Sequence, residues 1–127
     1  MKILLVEDDC LTLTLLSHWL AEAGFTFDCA RDGLEAVTLA YQSNHYHLGI
    51  IDIEMPELNG IAAADLIRSH QPHIAFIFTS SGVTHRNYCL HRPQDTFIEK
   101  PCTQSKLMEL IAATVAKIPE HAIERVE

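Results

Sequence analysis

Residues 50–60, Ile-Ile-Asp-Ile-Glu-Met-Pro-Glu-Leu-Asn-Gly, decide how the rest of the chain is read. Gly49 to Asp52 is a short run with an apolar majority, the pattern of a strand buried on both faces. It ends on an aspartate and passes through Glu54, Pro56 and Gly60, the residues of a loop. A carboxylate at the end of a buried strand is costly unless it is paired, bound to metal or used chemically. The flanking sequence says which.

Upstream, Lys2 to Val6 is another short apolar run and a second strand buried on both faces. Cys10 to Ala23 follows, with Leu11, Leu15, Leu16, Trp19 and Leu20 at helical spacing and Gly24 as the stop. Phe25 to Cys29 reads as a weaker strand, apolar on one face. Asp32 can cap a helix over Gly33 to Tyr41, with Leu34, Val37 and Leu39–Ala40 turned inward. Downstream, Gly60 to Ser69 is a short Ala-rich helix closed by Pro72. Ile74 to Thr79 is a fourth strand and the run around Phe97 a fifth. Thr103 caps a last helix in which Leu107, Leu110, Ile111, Val115 and Ile118 share a face.

Strand and helix alternate through nearly the whole chain, which predicts βαβ units and a doubly wound parallel sheet with helices on both faces. Residues 1–118 form one domain and 119–127 a tail. The length, 127 residues, suits a single core. A net charge of −8 argues against a general nucleic-acid binder, because neutralising phosphates needs a basic surface. It suits a divalent cation or a basic patch on a protein partner. The opening Met-Lys-Ile-Leu-Leu-Val-Glu-Asp-Asp turns acidic too early for a secretory leader or a membrane span. Cys10, Cys29, Cys89 and Cys102 form no C-x-x-C pair, and free thiols in a reducing cytoplasm are expected.

In open α/β sheets ligands bind at the carboxyl ends of the strands. Strand one ends in Glu7, Asp8 and Asp9, strand three in Asp52, strand four in Thr79-Ser80-Ser81 and strand five in Lys100-Pro101. Taken singly, each has an ordinary alternative. The acids suit a helix start, Asp52 a loop cap, Thr79 a surface hydroxyl and Lys100 a solvated charge. Their coincidence at one sheet edge favours a joint role. Carboxylates so close raise each other's pKa. A hard cation relieves this, and Mg²⁺ suits a few carboxylates, water and phosphate oxygens. One carboxylate then remains as a nucleophile toward phosphorus, with a hydroxyl and an ammonium for the phosphoryl oxygens. On this reading Asp52 is placed to be phosphorylated.

The segments KILLVEDD, DIEMPELNG, IFTSSG and FIEKP together resemble a response-regulator receiver domain of two-component signalling, over about residues 2–118. The resemblance implies a flavodoxin-like (βα)₅ fold with strand order 2-1-3-4-5. It implies that a histidine kinase or histidine phosphotransfer protein phosphorylates Asp52. Asp8 and Asp52 would ligate Mg²⁺ (or Mn²⁺) directly, with the Glu54 backbone carbonyl as a further ligand and Glu7 acting through water. Thr79 and Lys100 would contact the phosphoryl group, Thr79 and Phe97 would form the switch, and Lys100–Pro101 would be a cis peptide. No metabolic activity is expected beyond self-phosphorylation and slow self-dephosphorylation. The output partner is a protein or an attached domain, with no direct nucleic-acid contact and no membrane insertion.

The chain also departs from the family pattern. Between strands four and five, Pro93 and mediocre helix formers allow at most a short helix from Thr84 to His91. Ser80 stands where a small alanine is usual. Among eight histidines, His45 and His47 are expected to be a solvated pair at the start of strand three, as are His70 and His73 around Pro72. Met55 is expected to pack, and Trp19 to be core or a half-buried anchor. Two other classes compete. A pseudo-receiver would bind partners without turning over phosphate, but Glu7, Asp8, Asp52, Thr79 and Lys100 are all present. A small aspartyl-phosphate phosphohydrolase would carry D-x-D after strand one, where this chain has Glu-Asp-Asp.

Overall fold

Every residue of Lys2–Val6 beyond Lys2 is apolar, so this segment can be covered on both faces, and it forms the interior strand β1. The computed structural model describes residues 1–42, 45–81 and 92–119. After β1 come α1 (Cys10–Glu22), β2 (Thr26–Ala30), α2 (Gly33–Tyr41), β3 (Leu48–Asp52), α3 (Gly60–His70), β4 (Ala75–Ser80), β5 (Thr96–Glu99) and α4 (Gln104–Val115). The five strands are parallel in the order β2-β1-β3-β4-β5, the expected flavodoxin-like arrangement. The short helix expected from Thr84 to His91, together with Cys89 and residues 120–127, lies outside the described residues.

Two core layers sandwich the sheet. Leu4, Val6, Ile51, Phe76 and Phe78 pack against α2 and α3 on one side. Ile3, Leu5, Ile50, Ile77 and Ile98 pack against α1 and α4 on the other. Each helix starts on a side chain that accepts a backbone N–H of its first turn: Asp9 from Thr12 at 2.9 Å, Asp32 from Glu35 at 2.7 Å, Asn59 from Ala62 at 2.9 Å and Thr103 from Lys106 at 3.2 Å.

Several details differ from the sequence-based reading. On α1 the buried face is Leu13, Leu16 and Leu20, while Leu11 is 82% exposed and Leu15 half exposed. Leucines on nearly all sides of that helix left its rotation ambiguous. On α2 the inward positions are Gly33, Ala36 and Ala40, and Leu34 is exposed. The close fit of α2 on the sheet favours small side chains. His47 is buried rather than solvated: its Nδ1 accepts the Lys2 N–H at 2.9 Å, and its backbone links Lys2 to Ala75. His45 and His70 are exposed, and His70 stacks on Tyr41 with ring centroids 4.3 Å apart. Cys10, Cys29 and Cys102 are free thiols.

One buried ion pair was not anticipated. Arg68 of α3 lies over the Phe76 ring, and its Nη2 donates to both oxygens of Asp95 at 2.6 Å. Asp95 Oδ1 also accepts the Phe76 N–H at 3.1 Å, so the pair ties α3 to β4 and to the residue before β5. Gly49 leaves the room that Phe76 fills, since a Cβ there would lie 2.5 Å from the ring.

Candidate functional site at the carboxyl edge of the sheet

Alternation of side chains along each strand decides what gathers at this edge. Continuing Ile3 and Leu5 brings Glu7 to the α1/α4 side, and continuing Leu48 and Ile50 brings Asp52 there. Ala75 and Ile77 lead likewise to Thr79, and Ile98 leads to Lys100. The register pairs Asp52 directly with Thr79. Backbone bonds extend the ladder past the strands, from Glu7 N–H to Ala30 O, Ile53 N–H to Thr79 O and Lys100 N–H to Ser80 O. The site therefore stands on rigid backbone.

The loop after β3 turns back at once. The Gly60 N–H donates to Ile53 O at 3.0 Å, and a Cβ at Gly60 would lie 2.2 Å from the Asp52 carbonyl oxygen. Only glycine permits that approach of backbone on backbone. Glu57 supplies the sharp bend with a φ of 65°, and Met55 packs inward as expected.

Carboxylate oxygens of Glu7, Asp8 and Asp52 lie within 4.8 Å of one another. Glu7 and Asp52 are buried and Asp8 is exposed, so the group opens to solvent on one side. Lys100 Nζ sits 2.6 Å from Glu7 Oε1 and 3.3 Å from Asp52 Oδ2. Burial, reinforced by the Glu7 charge and opposed by Lys100, pushes the Asp52 carboxyl up to about 7. Burial works against the Lys100 charge, but its bond to Glu7 and the two carboxylates outweigh this and hold its pKa above the ordinary value. One ammonium does not neutralise three carboxylates. The donor set is all hard oxygen and suits Mg²⁺.

Asp9 does not join the group; it caps α1. Thr79 is buried and lines a cleft of about 140 Å³ with Lys100, Thr12, Leu15, Leu16, Trp19, Pro101 and Cys102. Lys100–Pro101 is cis. Phe97 is half-buried and pairs with Phe78 on the α2/α3 side, so the two switch candidates face opposite sides of the sheet. The Glu54 side chain accepts hydrogen bonds from the Ser80 hydroxyl and, at 3.0 Å, from both the N–H and hydroxyl of Ser81. Its own N–H donates to Asp52 Oδ1 at 3.3 Å.

The sequence profile of the response regulator receiver domain matches residues 3–112. The chain belongs to that family. The receiver domain is 37% identical over 110 residues to the probable transcriptional regulatory protein SilR of Salmonella typhimurium, covering 85% of this chain and 48% of that protein. It is 30% identical over 122 residues to hybrid signal transduction histidine kinase B of Dictyostelium discoideum, covering 84% of this chain and 6% of the kinase. The receiver domain thus spans half or less of these relatives. In fold it is similar to a response regulator receiver protein from Sinorhizobium medicae, with a TM-score of 0.83, 20% identity, and coverage of 92% of this chain and 95% of that one. Among its described residues, no helix is long and apolar enough to cross a membrane.

Proposed function

We propose that this receiver domain accepts a phosphoryl group on Asp52 from the phosphohistidine of a histidine kinase or phosphotransfer protein, and that the modification switches its protein contacts. The observation that carries this is the convergence of Glu7, Asp8 and Asp52 within 4.8 Å, with Lys100 3.3 Å from Asp52. In the transfer, an Asp52 carboxylate oxygen forms a bond to phosphorus as the bond from phosphorus to the donor imidazole breaks. The electron pair leaves with the imidazole nitrogen, which is protonated.

Asp8 and Asp52, the Glu54 carbonyl and Glu7 through water would hold Mg²⁺, or Mn²⁺ in its place. The bound ion supplies charge neutralisation between carboxylates and phosphoryl oxygens. Lys100, 3.3 Å from Asp52, would orient it and stabilise the phosphoryl charge, and the hydroxyl of Thr79, the residue paired with Asp52 in the sheet, would donate a hydrogen bond to the phosphoryl group. The domain modifies and slowly restores itself but turns over no metabolite. Its setting is the cytoplasm, and its output is a protein surface rather than nucleic acid.

Cation binding tests the reading without a phosphodonor. Because the Asp52 carboxyl titrates near 7, the cation must displace a proton below that pH. Apparent Mg²⁺ affinity should rise about tenfold per unit at low pH and level off above 7, by calorimetric titration between pH 5.5 and 8.5. Asp8→Asn should weaken binding at least about tenfold at every pH. Affinity that ignores both pH and Asp8 would overturn the assignment.

A further inference from the structure

We propose that Ser80 and Ser81 are positioning residues that hold the Glu54 carboxylate out of the cation site, and so set the site's preference for Mg²⁺ over Ca²⁺. The inference rests on the function proposed above and concerns side chains to which that function gives no part.

Glu54 starts beside the site, since its backbone N–H already reaches the Asp52 carboxylate at 3.3 Å. Its side chain is exposed and flexible by nature, yet both carboxylate oxygens are engaged on β4 and the residue after it. Oε2 accepts from the Ser80 hydroxyl, and Oε1 accepts from the Ser81 N–H and the Ser81 hydroxyl, each at 3.0 Å. Bonds to an ionised acceptor are roughly twice as strong as neutral ones. Ser80 is fully buried at the end of β4, where a hydroxyl is retained only with a partner. The result is that Glu54's carboxylate is absent from the cluster formed by Glu7, Asp8 and Asp52.

Cation chemistry gives this restraint a consequence. Mg²⁺ keeps several waters and uses one or two carboxylates in a tight octahedron, whereas Ca²⁺ takes six to eight oxygens and accepts bidentate carboxylates. A fourth carboxylate free to swing in would supply the extra oxygens that Ca²⁺ uses and Mg²⁺ does not. Restraining Glu54 keeps the site short of donors for the larger ion.

The test is calorimetric titration of the whole chain with Mg²⁺ and with Ca²⁺. Removing both hydroxyls, in Ser80→Ala/Ser81→Ala, should shift the ratio of affinities toward Ca²⁺ by roughly tenfold. Adding Glu54→Gln to that variant should return the ratio to the wild-type value, which a general loosening of the fold would not do. Ser81→Ala alone, at an exposed position, should give a smaller shift of the same sign and serves if the buried change lowers stability. An unchanged ratio, or a shift that persists with Glu54→Gln, overturns the restraint while leaving the function intact. A wild-type chain that binds neither ion overturns both.

Discussion

Asp95→Ala is expected to lower the unfolding free energy by about 3–5 kcal/mol, the typical penalty for stranding a buried charge. Only 6% of the Arg68 side chain and 1% of the Asp95 side chain are exposed, so bulk water does not reach the stranded guanidinium. The Phe76 N–H would lose its acceptor as well. The pair itself is a weak source of net stability. Burial raises the Asp95 carboxyl's pKa in spite of the Arg68 charge and the Phe76 N–H, so the pairing does not fully offset desolvation. The double change Arg68→Met/Asp95→Leu should therefore be milder than Asp95→Ala, its remaining cost being the Phe76 N–H left without an acceptor, about 1–3 kcal/mol. Urea denaturation of the three proteins measures this. An Asp95→Ala loss under about 1 kcal/mol, the range of solvent-exposed pairs, would show that the ion pair is not buried in solution.

Asp52 carries a second stability signature. Its folded-state carboxyl titrates near 7, above its ordinary 3.8, so between those values the folded chain holds more protons than the unfolded one. Stability without added cation should be greatest below that window, fall as pH rises through it, and level off above about 7. A divalent cation that occupies the ionised site should restore what is lost.

What was legible in the sequence was whatever repeats at short range. Alternation along β1, β3, β4 and β5 has a period of two, so residues on the α1/α4 side lead by simple counting to Glu7, Asp52, Thr79 and Lys100. Apolar runs gave the strands, and Asp32 and Thr103 announced their helices through capping chemistry. Contacts between distant residues were not legible. Arg68 meets Asp95 across 27 positions, and Glu54 meets Ser80 and Ser81 across 26 and 27, with no local pattern to announce either. Nothing near Arg68 in the sequence announces its burial, and only the fold brings it to Asp95. The inward face of α1 failed for a different reason. With leucines at 11, 13, 15, 16 and 20, two rotations of the helix compete, and packing against β1 and β2 selects Leu13 over Leu11.

The central claim is that Asp52 is the phosphoacceptor, and its most direct test is intact-mass spectrometry after incubation with Mg²⁺ and a small-molecule phosphodonor. Asp52 is the only member of the carboxylate cluster that lies both within 3.3 Å of Lys100 and directly opposite Thr79. One phosphoryl group is expected on the wild-type chain, dependent on Mg²⁺. That adduct should be lost completely in Asp52→Asn, which should remain folded because the amide removes a buried charge and keeps the shape. A phosphoryl adduct that survives unchanged in folded Asp52→Asn would contradict it.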